Sequence, residues 1–86
     1  STIDRNTNGE ITFEWEGSDP DDTDNLVYTL YIDTVDGKQT PSTSLTDLSV
    51  ETINVALDAG NTYYWRVKTS DGKNSSYSVV RSFKTK

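Results

Sequence analysis

The chain has 86 residues, a formal net charge of −6 and no cysteine or histidine, which sets it up as a single domain over 1–86 with a small core. Lacking both residue types, it has no disulfide, no thiol nucleophile and no thiolate metal site, and the usual general base and commonest metal ligand are missing. Its acidity disfavours phosphate backbones and anionic membranes, and no apolar run approaches membrane-spanning length, so neither a nucleic-acid partner nor direct membrane insertion is expected.

Taken in chain order, short alternating runs recur between turn signals. Residues 1–5 offer a short first strand through Ile3. After Gly9, the run 11–16 places Ile11, Phe13 and Trp15 on one face. A polar, acidic break follows from Gly17 to Asn25. The run 26–32 turns Leu26, Tyr28, Leu30 and Ile32 inward, and Asp36-Gly37 is a turn dipeptide. Residues 39–42 read as a short edge strand, since Pro41 removes a ladder donor, and Leu45 and Leu48 tuck under a loop. The run 52–57 places Ile53, Val55 and Leu57 on one side. In 62–69, Tyr63, Trp65 and Val67 face inward. Asp71-Gly72 turns the chain into a last strand, 77–85, that contains Phe83. No stretch has helical period long enough to nucleate a helix. Such strands predict an all-β, two-sheet antiparallel sandwich of about seven strands.

Three stretches carry a family resemblance: S-D-P-D-D-T-D-N-L-V-Y-T-L-Y, L-D-A-G-N-T-Y-Y-W-R-V-K-T-S-D-G-K and S-Y-S-V-V-R-S-F-K-T. Together they resemble bacterial fibronectin type III modules, immunoglobulin-like β-sandwiches, over about residues 10–86. The resemblance implies structural roles: Trp15 as the core tryptophan of the second strand, Tyr28 and Leu30 in the next core strand, Leu57 beneath a corner and Gly60 within it. Tyr63 would be the corner tyrosine, its hydroxyl bonding backbone a few residues upstream. Two departures stand out. Ala59 occupies the place where many members carry proline before the corner glycine, and the usual proline-containing first strand is short or missing. Residues 33–50 match the family pattern poorly.

The sharpest chemical feature is the acidic loop Asp19, Asp21, Asp22 and Asp24. Four carboxylates within six residues are oxygen ligands suited to calcium, yet the EF-hand pattern is not met. The simpler reading is a turn in which Asp19 and Asp21 bond nearby backbone N–H groups. A glycosidase pair of carboxylates needs a cleft that a domain of this size has little room for, so no enzyme activity and no cofactor are expected. Trp15 and Trp65 have core parity. Tyr31, Tyr64 and Arg66 have the opposite parity and are the candidate ligand surface, for sugar stacking or for contact with another module. The F–G loop over 71–74 lacks an integrin-binding Arg-Gly-Asp triplet, and Asn74-Ser75-Ser76 matches a glycosylation acceptor that needs a eukaryotic secretory context.

The resemblance implies a non-catalytic module of a larger secreted or cell-surface bacterial protein, in an extracellular or periplasmic setting. It would act as a monomeric spacer or domain-docking unit for neighbouring domains. The alternative is a carbohydrate-binding accessory module using the exposed tyrosines.

Overall fold

The computed structural model of the chain describes residues 2–15, 26–41 and 43–86, and they form a mostly β structure. The strands are β1 (Thr2–Ile3), β2 (Glu10–Glu14), β3 (Val27–Asp33), β4 (Thr52–Ala56), β5 (Thr62–Ser70), β6 (Ser75–Tyr77) and β7 (Arg81–Thr85). Five of them make one sheet in the order β1-β7-β5-β3, with β6 also paired to β5; β2 and β4 make a second, two-stranded sheet.

Alternation explains the strands. In β2, Ile11 and Phe13 are buried while Thr12 and Glu14 are exposed. In β3, Tyr28 and Leu30 are buried, Leu30 completely. The β3–β5 register puts Leu30 opposite Val67, so both sheets present one apolar face. Those faces meet through aromatic rings: Phe13 of the small sheet lies edge-on to Trp65 at 5.1 Å and tilted against Phe83 at 5.8 Å. Trp15, just past β2, meets Tyr28 edge-on at 5.7 Å. Trp15, Trp65 and Leu57 are half-buried against this core rather than enclosed by it.

The connection from β4 to β5 is tied from two directions. The Tyr63 hydroxyl accepts the Asp58 backbone N–H at 2.9 Å, and the Tyr63 ring stacks on Phe83. From β7, Thr85, 1% exposed, donates its hydroxyl to the Asp58 carbonyl at 2.6 Å and accepts the Asn61 N–H at 3.1 Å. Gly60 turns this corner at a φ of 75°, a left-handed value that glycine adopts without a Cβ clash.

Three sequence expectations are corrected. The first strand is parallel, not antiparallel: Thr2 and Ile3 pair with Lys84 and Thr85 of β7, and Ile3 stays 38% exposed. Residues 39–41 form no strand, because the chain before them curls around Asp33; a 3₁₀ turn at Thr43–Leu45 follows, with Leu45 buried. Leu48 packs against the core and also makes an isolated antiparallel bridge to Tyr28. The expected last strand, 77–85, is two strands, β6 and β7.

That break is a bulge. Tyr77 stands opposite Lys68, and Arg81 stands opposite Trp65. The three residues Ser78, Val79 and Val80 therefore face the two residues Arg66 and Val67 of β5. Ser78 keeps the ladder intact by donating its N–H to the Val67 carbonyl and accepting the Val67 N–H on its hydroxyl, both at 2.9 Å. The extra residue reverses side-chain parity. Phe83 points inward and is buried, whereas Tyr77, six residues earlier, is 47% exposed.

Candidate functional site

Parity alone turns Tyr64, Arg66 and Lys68 of β5 toward the outer face of the five-stranded sheet, and Tyr31 of β3 stands directly opposite Arg66. The bulge adds Tyr77 from the other side, opposite Lys68. The result is a clamp. The Arg66 guanidinium carbon lies 4.8 Å from the Tyr31 ring centre and 4.1 Å from that of Tyr77, and the two rings meet edge-on at 6.0 Å. Contacts of this kind hold a cation against the negative faces of the rings. Burial raises the Tyr31 hydroxyl above its ordinary pKa, with the hydrogen bond it shares with Tyr77 acting in the same direction and Arg66 opposing it.

Arg66 has no ion pair among the described residues, where the one salt bridge joins Lys86 to Asp4. Its Nε is buried without an acceptor. The nearest carboxylate in the strand register is Asp33, one residue past β3's Ile32 and opposite Tyr64. It is already engaged. Its Oδ1 accepts the N–H groups of Val35, Asp36 and Gly37 at 2.7–2.8 Å, and its Oδ2 accepts that of Gln39 at 3.1 Å. Burial alone would raise the Asp33 pKa; the four donors outweigh it and hold the carboxyl below the ordinary aspartate value. Gly37 closes this loop at a φ of 75°, with its α-carbon so near β5 that a Cβ would lie 3.2 Å from the Trp65 nitrogen.

Of the residues singled out from sequence, Tyr31 and Arg66 come together. Tyr64 lies on the same face, half-buried, opposite Asp33 and Ser82. Trp15, Tyr28, Leu57, Gly60, Tyr63 and Trp65 lie in the core or at the β4–β5 corner. Asp19, Asp21, Asp22 and Asp24 fall outside the described residues. Among the described residues no group of acids is placed to hold a metal ion. A cleft of about 420 Å³ is lined by Glu14, Trp15, Trp65, Val67, Ser78 and Arg81.

Tyr77 is the residue that sequence reasoning missed. Counting back from Phe83 in steps of two puts it inside. The missed signal is Ser78, a hydroxyl residue able to bond backbone within the Tyr-Ser-Val-Val run, which carries no glycine to advertise a bulge. No family model, curated protein or solved structure matches the chain.

Proposed function

We propose that this chain is a fibronectin type III-like sandwich of about seven strands, serving as a non-catalytic docking module of a larger secreted or cell-surface protein. The observation that carries this reading is the outer face of the five-stranded sheet, where Tyr31, Arg66 and Tyr77 are locked together. Tyrosine and arginine are the residues that anchor protein interfaces, and rings fixed in advance lose little entropy when a partner arrives. The Tyr63–Asp58 hydrogen bond supports the sandwich assignment, since it ties a tyrosine near the start of a strand back to the preceding corner. The parallel pairing of β1 with β7 gives the chain the same direction in its first and last strands, which suits a unit set between neighbours.

The carbohydrate-binding alternative has less support. A sugar ring needs an open aromatic face, and Tyr31 spends its ring on Arg66 and Tyr77. Tyr64 alone is a narrow platform.

Lysine footprinting tests the docking reading. Lys68 and Lys84 face outward on this sheet, opposite Tyr77 and Thr62. Acetylation of both should be slower in the full parent protein than in the isolated module, with Lys38 and Lys73 as references. Equal labelling of all four in the two contexts would refute it.

A further inference from the structure

We infer that the outer face of the five-stranded sheet docks an acidic protein segment, with the Arg66 guanidinium receiving a partner carboxylate. This rests on the docking reading above and names the chemistry of the partner.

The first argument is charge. The chain is acidic overall, at −6, yet the outward strand positions on β3, β5, β6 and β7 carry Arg66, Lys68 and Lys84 against a single acid, Asp33. Asp33 is electrostatically occupied: both its oxygens accept backbone N–H groups of the 35–39 loop. Asp33 stays ionised with its lone pairs engaged by the loop, and the face still carries three cations against one carboxylate on an anionic molecule.

The second argument is the state of Arg66 itself. Tyr31 and Tyr77 flank its guanidinium, and Nε is buried with no acceptor. With Nε enclosed, a partner carboxylate would meet the two terminal Nη groups end-on, through paired, charge-assisted hydrogen bonds. The rings hold the planar fork in place before the partner arrives, which a lysine at this position would not reproduce. The Tyr77 ring belongs to this arrangement only because the bulge at Ser78–Val80 reverses parity.

The third argument selects a protein segment over an acidic sugar. Arg66 and Lys68 are alternate residues on one strand, so their charges repeat at the spacing of same-face residues in an extended chain, about 6.4–6.8 Å. A strand with acids at alternate positions matches that repeat. The Tyr31 and Tyr77 rings that a sugar would use are taken up by Arg66, which leaves Tyr64 alone as a stacking platform.

The experiment is a titration of the isotope-labelled module with a synthetic peptide of alternating threonine and glutamate, followed by the Arg66 side-chain Nε–H resonance and the Tyr31 and Tyr77 ring signals. The matching threonine–glutamine peptide and an oligogalacturonate serve as comparisons. The glutamate peptide should shift all three sets of signals and the glutamine peptide should not. Arg66→Gln should weaken binding by about tenfold or more, and Arg66→Lys should recover only part of the loss. If Arg66→Gln does not fold, Lys68→Gln and the wild-type titration still decide the matter. Absence of shifts at millimolar peptide, equal shifts with the glutamine peptide, or shifts with oligogalacturonate alone would each overturn the inference. Protection of Lys68 and Lys84 in the parent protein together with silence toward the glutamate peptide would overturn the acidic partner while leaving the docking role standing.

Discussion

The hydroxyl of Thr85 and the carbonyl of Asp58 are joined by a 2.6 Å hydrogen bond across 27 residues of sequence. Tyr63 bonds the N–H of the same Asp58 from the other side at 2.9 Å. One peptide corner is therefore clamped on its donor by one strand and on its acceptor by another. Removing either clamp should be costly. Tyr63→Phe and Thr85→Val should each lose about 1–3 kcal/mol, measured as a shift in urea midpoint without a change in slope. Because both act on Asp58, the double variant should depart from additivity by about 0.5 kcal/mol or more. Strict additivity would mean the two bonds are independent.

Gly37 and Gly60 share a φ of 75° but differ in surroundings. A Cβ on Gly60 meets nothing within 4 Å, whereas one on Gly37 meets β5 backbone at 3.2–3.3 Å and Val80 at 3.3 Å. Gly60→Ala should cost about 1 kcal/mol, the conformational penalty alone. Gly37→Ala adds steric crowding and should cost about 2–4 kcal/mol. Thermal unfolding of the two variants side by side checks the ranking, and equal losses would contradict it.

Asp33 should give the fold a pH-dependent component of stability. Its folded pKa lies below the ordinary 3.8, so its contribution is fully present above that value and is lost as pH falls through the depressed folded value. The melting temperature should separate the native chain from Asp33→Asn at pH 6, and the gap should narrow steadily toward pH 2. A gap unchanged across that range would show that the carboxylate charge is not what the loop uses.

The bulge should be separable from the side chains within it. Val79 is 71% exposed, so Val79→Ala should change stability by less than about 0.5 kcal/mol. Deleting Val79 removes the extra residue, turns Tyr77 away from Arg66 and should abolish nuclear Overhauser contacts between the Tyr77 ring and the Arg66 side-chain protons while those from Tyr31 remain. Persistence of the Tyr77 contacts in the deletion variant would show that Tyr77 reaches Arg66 by another route.

Much of this was readable from the residues because burial enforces period two wherever one face is covered. Ile11 and Phe13, Tyr28 and Leu30, and Tyr63 and Val67 announce their strands and their inner faces, and by the same parity Tyr31 and Arg66 declare themselves outward. What escaped depends on features without a periodic signature. The two residues of β1 bury nothing that would reveal a parallel partner, as the exposure of Ile3 shows. The loop after β3 is organised by one carboxylate taking four N–H groups, a pattern set by three-dimensional reach rather than by composition, so Thr40 and Pro41 only mimic an edge strand. The reversal at Ser78–Val80 changes a count by one, and counting is all that parity reasoning has.

The Thr85 clamp also imposes an order in time. Synthesis delivers the corner at 58–61 well before residue 85, and at about 5–20 residues per second the gap lasts seconds. Until then Asp58 lacks its partner on the carbonyl side, and the rest of the domain waits unfinished on its final strand. The corner therefore gains its second clamp only when the strand carrying Thr85 has been made, so its last increment of stability comes from the far end of the described chain.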